Sequence, residues 1–378
     1  MAAPGQILYP ARFFMRPFRF DLGGGDKPFV SGGATVTVAL RKQGYLDMLV
    51  VHLVAAFTVA NAALVPIELG LYNAVKTFNL AIPNKPVPPI NAGGAFMHWW
   101  NLRNRDFSPL RQQWRFAAQG ALDANAYWAG LVDAFPVGLG AQNLSLWWVL
   151  PTHYSVDDIR GTIPLGNQEQ ANLLIVPAPA ADFIDVPANF TVPVWTLDVE
   201  QVWLAPPPAG APIAPTTSQP NADGVDVDWI MAYDETYQAV IGTGLQVVNI
   251  TPNYTILGIL HAVSLATAGT GAQLGMADID SLQFILNSQQ LFPDGPLQTP
   301  LFAFHTVYEN DVPLPLGLFM YDRDVLGRSD WIYTDSLTEI ASQLFVNAAA
   351  VAGTGPRIYT STRRLIDLNP AAHLLAAG

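Results

Sequence analysis

Between Trp195 and Trp203 apolar and polar positions alternate, with Trp195, Leu197, Val199 and Trp203 on one side and Thr196, Asp198 and Glu200 on the other. A period of two predicts a strand with one face in a core and one in solvent. The same reading predicts strands over 34–40, 46–60, an extended region running on to Ile82, then 112–118, 144–150 and 171–176. Further strands are expected at 247–250, 255–267, 282–287, 316–321 and in a run ending at 344–347. Thr251-Pro252 would suit a helix start, but Gly258 and the branched residues of 255–267 favour a strand there.

Two stretches carry helical spacing instead. Over 125–135, Asn125 is the expected cap, Tyr127, Leu131 and Phe135 repeat at i, i+4, i+8, and Pro136 stands beyond the end. Over 300–310, Thr299 is the cap and Leu301, Phe304, His305 and Tyr308 share a face. Each helix is followed by proline and a strand, and their ends at Phe135 and Asn310 lie about half the chain apart, which predicts an internal duplication. The expected fold is all-β: two tandem eight-stranded antiparallel jelly rolls, each with a short inserted helix. The expected segments are an N-terminal arm (1–20), a first roll (21–204), a Pro-rich linker (205–224), a second roll (225–365) and a C-terminal tail (366–378). Residues 83–94 read as a loop.

Between the strand at 144–150 and the one at 171–176 lies THYSVDDIRG, which reads as a tight corner. Ser155 is placed to cap a helical turn, with Asp158 at the capping-box position and Asp157 beside it on the positive end of the dipole. Arg160 sits near the turn's end, and Gly161 leaves it.

Composition narrows the function classes. Charged residues make up 13% and apolar ones 51%, with 31 Pro and 30 Gly, a mixture that suits many short strands and surface buried against other subunits. A net charge of −12 argues against a nucleic-acid-binding body. The charge is uneven, because residues 1–20 hold Arg12, Arg16 and Arg19 and no acid. That arm interleaves its arginines with Tyr9, Phe13, Phe14, Phe18 and Phe20, which fits either a strand paired with its own body or a segment touching anionic lipid head groups. The absence of cysteine removes disulfides and thiolate chemistry. The start has no basic region followed by an apolar one, so no signal peptide is expected and the sequons at Asn143, Asn189, Asn249 and Asn253 carry no weight. Residues 48–67 hold no charged side chain, but His52, Asn61, Pro66 and the branched residues favour buried strands over a membrane span.

Candidate chemistry is sparse. His52, His98, His153, His261, His305 and His373 show no metal-ligand spacing and read as core or surface histidines. The pairs Asp226/Asp228, Asp278/Asp280 and Asp322/Asp324 would suit Ca²⁺ on a loop, though solvated turn acids are the simpler reading. His98-Trp99-Trp100 fits a sugar-stacking platform, and fits a core or subunit seam equally well. No phosphate loop, no GxSxG and no glycosidase pair is present, so no catalytic residue, metal or cofactor is expected.

LWWVLPTHYSVDDIRG followed by WTLDVEQVWLAPP resembles the end of the first jelly roll in tectivirus major capsid proteins, and PLGLFMYDRD, LFVN and PRIYTSTRR resemble the end of their second. The similarity spreads along most of 12–364, and YS-x-DD-I-RG is its most specific piece. The strap is richer in proline here, and the arm shorter and more aromatic. The resemblance implies the coat protein of a tailless icosahedral bacteriophage, forming pseudo-hexagonal homotrimers in a virion shell around an internal membrane and assembled in the host cytoplasm. Implied partners are the chain itself and neighbouring capsomers, minor capsid and penton proteins, and the viral membrane through Arg12, Arg16 and Arg19, with no direct nucleic-acid contact. The alternative is a carbohydrate-binding tandem jelly roll such as a spike or lectin.

Overall fold

The structure, a computed structural model, describes residues 9, 11–23, 28–59, 71–83, 85–103, 140–154, 158–166, 170–183, 190–191, 194–213, 225, 227–239, 243–252, 254–265, 272–273, 279–290, 318–322, 332, 334, 337–346 and 357–369. The first half opens with β1 (Pro17–Asp21), β2 (Pro28–Val30), β3 (Val36–Ala39) and β4 (Tyr45–Val59). Next come β5 (Val75–Ala81), β6 (Ile90–Ala92) and the helix α1 (Gly94–Arg103). It closes with β7 (Gly140–Pro151), β8 (Ile163–Pro164), β9 (Asn172–Pro177), β10 (Phe190–Thr191) and β11 (Val194–Leu204). The second half begins with β12 (Trp229–Ala239), β13 (Gly244–Asn249), β14 (Thr255–Leu265) and β15 (Ala272–Gln273). It continues with β16 (Ile279–Leu286), β17 (Gln289–Gln290), β18 (Leu318–Asp322), β19 (Ile340–Val346) and β20 (Arg357–Asp367).

These strands pair in one order used twice. In the first half one sheet runs β1-β11-β4-β7 and the other β3-β9-β5-β6. In the second half the orders are β12-β20-β14-β18 and β13-β19-β16-β17, position for position the same. The short strands β2, β8, β10 and β15 attach beside β11, β4, β4 and β14. Each half is a jelly roll, two facing four-stranded sheets of antiparallel strands. The duplication expected from the two helices is thus written in the strand order, while the helical stretches 125–135 and 300–310 and the strand at 112–118 fall outside the described residues.

The alternation in β11 decides its orientation as expected. Trp195, Leu197 and Val199 are buried while Thr196 and Asp198 are exposed. The register slips between Val202 and Trp203, a bulge that lets Gln201, Val202 and Trp203 all turn inward. Buried Gln201 is satisfied there, its side chain accepting from Arg41 N at 2.9 Å and donating to Arg41 O at 3.1 Å. The apolar run expected at 46–60 supplies one long strand, β4 (Tyr45–Val59), between β11 and β7. Among the described residues no helix is long and apolar enough to cross a membrane.

Among the described residues the two rolls are joined by one parallel strand pairing. Ile90 and Asn91 of β6 lie opposite Tyr233 and Asp234 of β12, and Tyr233 N donates to Pro89 O at 2.8 Å. The joint fuses the second sheet of the first roll and the first sheet of the second roll into a single nine-stranded sheet. The main core runs through it: Phe78, Phe96, Trp148 and Trp195 from the first half cluster with Met231, Tyr233, Leu260 and Leu365 from the second. Each such large side chain removed from water contributes roughly 1.5–3 kcal/mol.

The loop expected at 83–94 is corrected here. Its end supplies β6, and α1 starts at Gly94. In GAFMHWWNLR apolar residues surround the helix, and residues 95–101 are all buried. A helix apolar on every side has no amphipathic stripe to betray it, and belongs inside a core.

Candidate functional site

The arm that carries Arg12, Arg16 and Arg19 is pinned to the first roll. Its last residues form β1, paired with β11 from Pro17 opposite Leu204 to Asp21 opposite Glu200. Phe18 and Phe20 stack on Trp203 at 4.9 and 5.5 Å, and Arg19 pairs with Glu200 at 3.3 Å while staying largely exposed. Ahead of β1, Ala11 and Met15 bury against Tyr45, Leu204 and Val225. The start of the Pro-rich stretch lies on the same segment: Ala205 N donates to Arg16 O, and Tyr9 N to Pro212 O, each at 2.9 Å. Around this anchor the outward side chains are basic and aromatic. Phe13 is 72% exposed beside Tyr9 and Phe14, Arg16 is exposed, and Arg12 donates to Met15 O at 3.2 Å.

His98-Trp99-Trp100 lies on α1 in the core between the rolls, not on a sugar-accessible surface. The Trp100 indole donates to Ser361 Oγ of β20 at 2.9 Å, and its ring meets Tyr233 of β12. Asn101 grips β7 with two hydrogen bonds, donating to Val149 O at 2.7 Å and accepting from Val149 N at 2.8 Å. Trp148 reaches back to donate to Gly94 O at 2.8 Å. His98 stacks on Tyr72 with ring centroids 3.5 Å apart, and burial holds its pKa well below the usual value. At the head of α1, Gly93 N donates to the Glu235 carboxyl at 2.5 Å across the joint. Burial, aided by the neighbouring Asp234, raises the Glu235 pKa to about 7 against the opposing pull of that amide.

The remaining described histidines are structural. His261 lies between Thr360 Oγ1 at 2.9 Å and Ser342 Oγ at 2.8 Å, tying the two sheets of the second roll, and burial lowers its pKa to about 4. His153 meets the Asp47 carboxylate at 2.9 Å, buried. His52 stacks on Trp147, and burial lowers its pKa against the raising effect of Asp198. Among the described residues no group of three or more His, Asp or Glu is placed to hold a metal. Of the acid pairs, Asp280 and Asp322 lie within β16 and β18, Asp228 precedes β12, and Asp226, Asp278 and Asp324 fall outside the described residues, as do His305 and His373.

The corner after β7 is a second clamp between the rolls. Ser155 and Asp157 are outside the described residues, but Asp158 accepts from Arg160 N at 3.0 Å and from its guanidinium at 2.5 and 2.8 Å. Arg160 lies over the rings of Tyr154 and Trp229, and Arg363 of β20 lies over Tyr154 while donating to its carbonyl at 3.2 Å. Sequence reading located this corner but not its counterparts on β12 and β20, because nothing local in WIMAYDETYQA signals a partner 70 residues upstream.

Two sheets of order 1-11-4-7 and 3-9-5-6, repeated and fused through one parallel joint, define a double jelly roll. The structure is similar to that of Sulfolobus Turreted Icosahedral Virus, with a TM-score of 0.62, 10% identity, and 93% of this chain and 91% of that chain covered. It is also similar to the PBCV-1 virus capsid, at TM-score 0.57 and 11% identity over 96% of each chain. A third likeness is to the major capsid protein P2 of bacteriophage PM2, at TM-score 0.52 and 8% identity over 94% of this chain and 99% of that one. No family model and no curated relative matches the sequence. At these identities the likenesses establish the double-jelly-roll fold across almost the whole chain.

Proposed function

We propose that this protein is the major capsid protein of a tailless icosahedral virus, a structural subunit of the virion shell that assembles as homotrimers. The observation that carries the reading is the repeated strand order with its fused inter-roll sheet, a fold shared over nearly full length with capsid proteins of three different viruses. The reading retains the division into arm, first roll, strap, second roll and tail at the boundaries expected from the sequence. Low charge and abundant apolar surface suit a chain that buries large faces against its copies. Light scattering on the purified protein under native conditions is expected to give three times the 40.9 kDa chain mass, with trimeric capsomers in electron micrographs. A stable monomer would overturn the trimer.

The finer part of the proposal concerns the membrane that the tectivirus resemblance implies. Arg12, Arg16 and Arg19, with exposed Phe13, give an acidic protein one basic and aromatic corner, the combination favoured at anionic lipid head groups. Replacing the three arginines with glutamate is expected to leave the trimer intact and to abolish assembly on lipid, read as empty or aberrant shells. Normal membrane-containing particles from that variant would remove the arm's lipid role. The arm's own anchoring does not depend on these charges, since an exposed pair such as Arg19–Glu200 contributes under about 1 kcal/mol.

A further inference from the structure

The two rolls share a strand order but not a kind of interior. In the first, the inward residues include Leu197 and Val199 on β11, Val51 and Leu53 on β4, and Leu173 and Ile175 on β9, all buried and all apolar. The equivalent strands of the second roll, β20, β14 and β19, turn Thr360, Thr362, His261 and Ser342 inward, and these are buried as well.

His261 is where the second roll's two sheets meet through hydrogen bonds. It stands on β14 opposite Thr360 of β20, whose Oγ1 lies 2.9 Å from Nδ1, while Nε2 lies 2.8 Å from Ser342 Oγ on β19 in the facing sheet. A neutral imidazole donates through one nitrogen and accepts through the other, and the two hydroxyls turn to match. With a second proton both nitrogens donate, and a full charge is shut inside a wall where the residue is 2% exposed.

The groups around that wall do not answer the charge. Arg364 of β20 donates to Thr362 Oγ1 at 2.9 Å and Thr251 O at 3.0 Å, with Asp234 of β12 acting on it. On β18, Asp322 and Tyr321 stand opposite Gly258 and Ile259, and Phe319 opposite His261. Asp280 lies in the bulge of β16, Glu339 ahead of β19 at the Asn287 turn, and β13 and β19 carry no charged residue. Arg357, Arg363 and Glu235 are engaged with Tyr237, Tyr154 and Gly93. Burial therefore lowers the His261 pKa to about 4, so its support for the fold is complete above the ordinary 6.5 and withdrawn as pH falls toward about 4. The other described histidines differ: His153 has the Asp47 carboxylate beside it, His52 has Asp198, and His98 stacks on Tyr72 between the rolls, where it ties no pair of facing sheets.

We propose that His261 is an acid-operated clasp, whose second proton parts the two sheets of the second roll while the first roll stays closed. The charged ring reaches water only when β14 and β20 move away from β19. The apolar pairs that hold the first roll do not titrate, and its buried His153 shares any charge with Asp47. The molecule thus responds to acid with one barrel and keeps its shape with the other.

Peptide-resolved amide hydrogen exchange on the native protein at pH 7 and pH 4.5, corrected for intrinsic rates, tests the proposal. Peptides from β14, β19 and β20 are expected to lose protection by about tenfold or more at the lower pH, while those from β4, β9 and β11 stay within about threefold. His261→Gln keeps polar atoms for both hydroxyls and cannot ionise, and is expected to hold the second roll's protection at both pH values. Equal loss in the two rolls, earlier opening of the first, or a glutamine variant as acid-sensitive as the parent would overturn the clasp. Exchange of the imidazole C2 hydrogen, followed by mass spectrometry on the unmodified protein, checks it without any variant. His261 is expected to titrate well below the ordinary histidine range, and titration near 6.5 would sink the idea.

Discussion

Replacing Glu235 by glutamine is expected to raise stability by under about 1 kcal/mol at pH 5 and by about 3 kcal/mol at pH 8. The reason is where the carboxyl lies. Glu235 reaches from β12 across the parallel joint to the amide of Gly93 at the head of α1, in a site where burial and Asp234 both oppose its charge. Its pKa therefore rises from the ordinary 4.5 to about 7 in the folded chain. A carboxyl with a raised folded pKa holds a proton that the unfolded chain has lost. Its contribution is fully present below pH 4.5 and is lost as pH climbs through 7. Glutamine keeps an oxygen to accept from Gly93 and cannot ionise, so the variant escapes the loss. His98 and His261 run the other way: lowered by burial, they favour the fold above the usual histidine pKa and withdraw that support as pH falls. They are common to both proteins and cancel in the difference between variant and parent. Denaturant unfolding of both proteins at pH 5, 6, 7 and 8 measures that difference, and a gap that does not widen with pH would show that Glu235 is ionised in the fold.

The same joint shows which features the sequence could reveal. Strands announced themselves wherever one face is buried and the other wet: β11, β3, β9 and β14 lie within a few residues of the stretches their alternation marks. The failures share a physical cause. α1 is apolar all round, so its spacing carries no stripe, and the glycines of GG at 93–94, read as loop, are there for close approach. A Cβ on Gly94 would press on the Tyr72 carbonyl and come within 3.1 Å of Val75. β6 is three residues long and exists because β5 and β12 flank it, not because INA prefers to be extended. The arm allowed two readings, strand or lipid contact, and its last four residues prove to be strand, since Phe18 and Phe20 find Trp203. What the sequence pattern did carry was the doubling, and it held at the level of strand order, a stricter property than helix position.

Substituting alanine for Gly161 is expected to destabilise the protein by about 4 kcal/mol. Gly161 has φ of +95°, a conformation that costs an L-residue one or two kcal/mol by itself. A Cβ there would also press against the Thr152 carbonyl oxygen and stand 2.9 Å from both the Cβ and the backbone nitrogen of Met231. Neither neighbour can yield cheaply. Thr152 is fixed to β4, its hydroxyl donating to Leu46 O at 2.7 Å and lying 2.9 Å from Asp47 O, and Met231 is wholly buried in β12. The glycine is therefore where the corner of the first roll touches the first strand of the second, with Arg160 stacked over Tyr154 and Trp229 beside it. Gly166, a few residues on, has open space around its Cβ position, and Gly166→Ala is expected to stay within about 0.5 kcal/mol of the parent. Chemical denaturation of the two variants side by side separates a seam requirement from a general intolerance of this loop; equal losses would sink the assignment. If the difference appears, Asp158 of YSVDDIRG has a structural explanation as well. Asp158 holds Arg160 in the position from which it spans both rolls, and the signature marks a joint between barrels.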